Sequence, residues 1–353
     1  MHGSPVGSEF NRKADVTQEF AFQDDVFLVD STIRSLQSTS SGSRHTLDDL
    51  VEIGVALDGV GVRELIVNVT WRDGLEVITG LKNRDIDTSV VATFSAGLDN
   101  WRVWTSDAVH AGADQICFES AESDDALREA VSFAHGLGVE ASHAFAEDHT
   151  YDEVVSLCQT GVEVGCRSQN LHDSFFRFAI GPEAIKAFVR SILRDVPNAP
   201  PLYVHLSNFF GHATMTTVAA LTAGASAVDV CANGTGHHCG HTSLSEVALV
   251  LEGLYGVKTG IALERLRDLA VLVEERTGVP TPIMRPIVGE YAFSADGATW
   301  AAETHLPFEK RRHSTFPFAP KVVGAEECVI WSDRTLTVAA VGAKLSSLNV
   351  ELS

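Results

Sequence analysis

Two histidines, His205 and His241, each follow a short apolar run and are well suited to hold a metal ion or move a proton. His205 closes Leu202-Tyr203-Val204, and His241 sits in a Gly-rich loop after Ala227-Val228-Asp229-Val230-Cys231. Runs of that length read as buried strands. Two strand ends sharing one open face are where a catalytic metal with free positions is commonly built. Polar residues recur at the other expected strand ends: Asp30, Thr32 and Arg34, then Asn68, Ser95, Glu119, His143 with Glu147, Asp173, Asn208 and Asn233. The interior of a purely structural barrel is filled by branched aliphatics and needs none of these, so the ring of polar ends points to an enzyme.

The elements that must position these residues follow from a weak internal repeat. A glycine, a short polar step and a strand-like run recur from Gly61, Gly112, Gly138, Gly165 and Gly224. The shorter gaps are roughly 26 residues, one strand-helix unit, and the longer ones hold a second strand. Those second strands are Ser89 to Thr93 and Leu202 to His205, and Val26 to Asp30 brings the count to eight. Amphipathic helical stretches lie between them. Leu47 to Leu57 begins with Thr46 and Asp49 in capping-box positions, and Pro182 to Leu193 and Ser243 to Leu254 repeat the arrangement. Eight strands alternating with helices predict an α/β fold, a (βα)8 TIM barrel whose strand C-termini carry the chemistry. A doubly wound open sheet is the rival, but no GxGxxG follows the first strand.

We expect the barrel to occupy residues 11–260. Residues 1–10 read as a cloning remnant, and residues 261–353 as a linker and a small C-terminal helical subdomain, with helices over Leu263 to Glu275 and Thr335 to Leu348. A formal charge of −21 excludes a phosphate-neutralising surface and docking on anionic lipid, so neither nucleic acid nor membrane is an expected partner. Six cysteines without CxxC spacing, and no apolar leader or spanning run, indicate a reducing, cytoplasmic setting.

Three motifs carry a family resemblance. V-D-S-T-I-R-S-L-Q from Val29 resembles the first-strand signature D-x-T-x-R-D-G-x-Q of the DRE-TIM metallolyases. The stretch from His205 resembles their H-x-H-N-D-x-G, and N-G-T-G-H-H-C-G-H-T-S-L-S-E-V from Asn233 resembles N-G-x-G-E-R-x-G-N-x-x-L-E-E-V. Further matches are A-F-A-E-D around Glu147, H-D-S at Asp173 and P-I-V-G-E-Y-A-F from Pro286, so the likeness runs through nearly the whole chain after Val26. The branch it is most similar to is that of the isopropylmalate, homocitrate and citramalate synthases.

The resemblance implies a metal-dependent Claisen-type condensation: one divalent ion (Zn, Mn, Mg or Fe(II)) chelates a 2-oxo acid while an acyl-CoA is deprotonated and adds to its ketone. It implies Asp30 and His205 as metal ligands, with His241 standing where the family has an asparagine ligand. Arg34 then stabilises oxyanions, and Glu147 orients substrate or transfers a proton. Thr32, Gln37, Asn68, Asp173, Ser207 and Asn208 complete the expected substrate-binding set. A homodimer is also implied. Departures accompany the matches: Ser35 replaces the Asp after the signature Arg, Ser207 the second His, Phe209 the next acidic residue and His237-His238 the Glu-Arg pair. The family's tail histidine falls on Trp300 or Thr299, with His305 and His313 nearby. Three readings therefore stand at this point: the condensation, the reverse cleavage, and a barrel without catalysis that serves as a binding subunit. Residue by residue, Asp30 and Arg34 also read as a rim salt bridge, His205 as a core histidine and His241 as a surface loop residue.

Overall fold

The structure, a computed structural model, describes residues 9–38, 43–145, 148–172, 176–177, 179–303, 306–307, 310, 316–332, 334 and 337–350. Its centre is a closed barrel of eight parallel strands in sequential order. They are β1 Phe27–Asp30, β2 Glu64–Asn68, β3 Ser89–Ser95, β4 Gln115–Glu119, β5 Glu140–Ala144, β6 Gln169–His172, β7 Leu202–His205 and β8 Ala227–Val230. The predicted TIM barrel is the observed fold.

The repeat has a local cause. Gly61, Gly112 and Gly165 are the C-caps of the helices before β2, β4 and β6, each in the left-handed region, where a side chain would be strained. Each helix therefore stops at its glycine and the strand starts three or four residues later. At the other end of the helix Leu47–Val60, Thr46 accepts from the Asp49 amide and Asp49 accepts from the Thr46 amide, so the predicted capping box is present.

Strand alternation divides the core. Phe27, Val29, Ile66, Val91, Cys117, Ala144, Tyr203 and Ala227 form an inner cluster, while the opposite faces of the strands pack against the helices in the larger cluster. Below the inner cluster, Arg167 Nη2 lies 2.8 Å from Glu64 Oε1, which also accepts from the Tyr203 hydroxyl at 3.3 Å. Above it lies the face that carries the site.

Ile261, Leu263, Leu266, Leu269 and Val273 are buried in the outer core, and the helix Leu266–Thr277 lies on the helix Leu47–Val60, so this stretch is part of the barrel's packing. The tail differs from a purely helical expectation. Beside the helices Gly297–Glu303 and Val338–Ser347 it holds a two-stranded parallel sheet, β9 Ser294–Asp296 and β10 Cys328–Ile330. Strands of three residues are too short for alternation to register in sequence. Among the described residues no helix is long and apolar enough to cross a membrane.

Candidate active site

Register brings the site together. β6 pairs His172 with His205, and β7 pairs His205 with Asp229, so three polar side chains stand at one level. All three line a single pocket with Arg34, Thr93 and Glu119. Its floor includes Val29, Ile66 and Cys117.

Arg34 lies on the short helix Thr32–Gln37 after β1. Its Nη2 is 2.9 Å from Glu119 Oε1, its guanidinium lies 5.7 Å from the Trp71 ring centroid, and its Nε is buried without a hydrogen-bond partner. Thr93 Oγ1 donates to the same Glu119 oxygen at 2.8 Å. Burial pushes the Glu119 carboxyl up, but the charge of Arg34 and the hydrogen bonds from Thr93 and Arg34 outweigh it and hold the group below the usual carboxylate range.

His205 and His172 are both pushed down to about 3, first by burial and then by the charge of Arg34, so both rings are neutral at pH 7. His205 Nδ1 lies 3.1 Å from Asp229 Oδ2, a close contact without hydrogen-bond alignment, and that oxygen also accepts from the Ser31 hydroxyl at 2.5 Å. Burial raises Asp229 to about 6 against the Ser31 bond. The His241 ring lies against that of His205, tilted by 48° with centroids 4.3 Å apart, and burial holds its pKa well below the usual value. Ser207 Oγ is 3.4 Å from His241 Nδ1, and the two residues form an antiparallel bridge that ties the β7 end to the Gly-rich loop. Asn208 strengthens the tie through its amide to the Gly240 carbonyl at 2.8 Å, while its Oδ1 accepts from the Ala213 amide at 3.2 Å.

The expected ligand trio is corrected here. Among the described residues no three His, Cys, Asp or Glu side chains are grouped to hold a metal ion, so Asp30, His205 and His241 do not form one set. Alternation is the reason: Val29 points into the barrel, which turns Asp30 away from it. Asp30 Oδ1 instead accepts from the Thr32 amide at 2.7 Å, and burial lifts its carboxyl to about 7. On β8, Asp229 shares the inward face of Ala227 and meets His205 in its place. Ser35 Oγ, where the family has an acid, contacts Cys231 Sγ at 3.4 Å. The residues present do not fit a divalent metal as a ready ligand set. Nor is Asp30 the partner of Arg34, because Glu119 is.

Three expected substrate contacts are engaged within the protein. Gln37 bridges the Asn68 amide and carbonyl and the Arg72 carbonyl, Asn68 Oδ1 accepts from the amide and hydroxyl of Thr70, and Thr32 Oγ1 accepts from the Ala232 amide. They position the β1 and β2 loops. Glu147, Asp173, His305 and His313 lie outside the described residues. Trp300 packs against Trp331 with ring centroids 6.0 Å apart. His172, Asp229 and Trp71 are not among the expected site residues, although counting by twos from Asn170 and from Ala227 turns His172 and Asp229 inward together.

His143 belongs to the core. Ala144 faces inward, so His143 faces the helices, where its Nδ1 lies 3.0 Å from Gln169 Oε1 and its Nε2 accepts from the Ala121 amide at 3.3 Å. Those partners fix a neutral ring, and burial pushes its pKa down to about 4 from 6.5. The unfolded chain then takes the proton first, so the stability held above 6.5 is lost as pH falls toward 4. Chemical denaturation at pH 7 and at pH 4.5 is expected to show a smaller acid loss in His143→Gln than in the parent, by roughly 2 kcal/mol. Equal losses would contradict the neutral-core assignment.

Known proteins place these features. A Methanopyrus kandleri protein named as an (R)-citramalate synthase, CimA, is 31% identical over 348 residues, 93% of this chain and 66% of its own length. Homocitrate synthase AksA of the same organism is 29% identical over 96% of this chain and 86% of its own. The chain thus spans just under two thirds of the first relative. Among solved structures, the HMG-CoA lyase of Bacillus subtilis superposes with a TM-score of 0.62 at 19% identity, covering 74% of this chain and 96% of that one, a likeness of fold. The HMGL-like family model matches residues 45–273, most of the barrel, and the chain belongs to that family.

Proposed function

We propose that this protein joins the deprotonated α-carbon of an acyl-CoA to the ketone carbon of a 2-oxo acid, after which water cleaves the thioester and releases the CoA thiol, a Claisen-type condensation of the alkylmalate-synthase kind. The observation that carries the reading is Arg34, a cation with a buried, unpartnered Nε in a pocket shared with the neutral histidines His172 and His205. A buried donor without a partner costs free energy that a bound anion repays. Arg34 takes the acceptor's carboxylate and stabilises negative charge as the new bond forms, Glu119 and Trp71 fix its guanidinium, and neutral His205 and His241 offer ring nitrogens to the acceptor oxygen. Among the described residues no ready ligand set for a divalent ion is assembled, and the roles named rest on the chain's own side chains. Glu147 as proton carrier, Asp173 as a substrate contact, a homodimer and a cytoplasmic setting belong to the same proposal.

The decisive assay measures free thiol from acetyl-CoA with a panel of 2-oxo acids. Release that requires both substrates is the expected result, and none with any acceptor would overturn the condensation. Serines at 35 and 207 support one competing reading, a binding subunit without turnover. That reading is the one left standing if acyl-CoA and oxo acid bind and no thiol appears in either direction.

A further inference from the structure

Resting on the proposed reaction, a narrower assignment of the acceptor follows from charge. Arg34 is the only arginine or lysine lining the pocket among the described residues, while Glu119 and Asp229 contribute two carboxyl groups. Glu119 already holds Nη2, while the buried Nε has no hydrogen-bond partner and so keeps one donor for an incoming carboxylate. Both hydrogen bonds that Glu119 makes fall on Oε1, so neither of them draws on Oε2. His172 and His205 accept or donate hydrogen bonds but bring no charge, and Val29, Ile66 and Val204 supply apolar wall. A second carboxylate on the acceptor would enter a low-dielectric space facing Glu119, with no cation left to receive it.

We propose that Glu119 is a specificity-determining residue that admits a 2-oxo acid with one carboxylate and an uncharged remainder and rejects one carrying a second carboxylate. Its effect is repulsion, which separates ligands of equal size by penalising the one that carries the extra charge.

Calorimetric titration of the full-length chain with 2-oxopentanoate, 2-oxoglutarate and the 5-methyl ester of 2-oxoglutarate tests this without requiring turnover. The first two match in carbon count and differ in one terminal charge, and the ester removes that charge at similar size. The monoacid and the ester are expected to bind roughly tenfold or more tighter than the diacid. Glu119→Gln, checked for a cooperative melt, is expected to close most of that gap. Tighter or equal binding of the diacid, an ester that binds as weakly as the diacid, or an unchanged gap in folded Glu119→Gln would each overturn the assignment. Failure of all three ligands to bind would overturn the acceptor class, and with it the proposed function, whereas a wrong order of affinities overturns only the role of Glu119.

Discussion

Arg34→Ala is expected to lower kcat/KM for condensation by roughly 10²- to 10³-fold, the loss typical when a donor to developing negative charge is removed from a shielded site. Two jobs depend on this side chain at once: Nη2 holds Glu119 at 2.9 Å, and Nε is left for the acceptor. Lysine cannot do both, because an ammonium is a point charge without the planar fork. Arg34→Lys should therefore keep the fold and recover only part of the activity. The alanine variant also strands Glu119 beside Thr93. The pair's side chains are 15% and 21% exposed, so the penalty is less than for a dry ion pair, about 1–3 kcal/mol. Thiol release and thermal melting, measured on both variants, separate the two effects. Activity within about threefold of the parent in Arg34→Ala would remove the cation from the mechanism.

How much of this was readable from the chain depends on the period involved. β7 runs from Leu202 to His205 as its apolar run predicts, and the helix beginning at Leu47 follows its capping box. Both are local features. The barrel was legible because positive-φ glycines (Gly61, Gly112, Gly138, Gly165 and Gly224) close the helix ahead of five of the strands, where another residue would be strained. At the site, Arg34, His205 and His241 do share one end of the barrel. Asp30 was misassigned because motif spacing ignores strand parity: one residue's difference from Val29 sends its carboxyl to the other side of the sheet. Asp229 was hidden for the same reason in reverse, lying in the middle of a run that reads as apolar strand. Glu119 stood at a strand end in plain view, but its partner lies 85 positions away, and no local pattern links β4 to the loop after β1.

The Gly-rich loop supplies the second large effect, and it concerns space. Gly236 has φ +151°, and a Cβ built there would run into the His241 ring, 2.5 Å from Nε2. Backbone on both sides is fixed: the His241 amide donates to the Gly234 carbonyl at 3.2 Å, and the Gly240 amide donates to the His237 carbonyl at 2.8 Å. The ring must therefore give way. Gly236→Ala is expected to push His241 off His205 and cut activity by roughly 10- to 100-fold, as a displacement near 1 Å does at a reacting centre. Strain at this φ adds about 1–3 kcal/mol of lost stability, visible in the melt. A double-mutant cycle identifies the cause. His241→Ala alone should cost about as much activity as Gly236→Ala, and the double variant should cost little more than either, since the ring that needed the space is already gone. If the double variant instead loses the product of the two single effects, Gly236 acts on something other than the His241 ring.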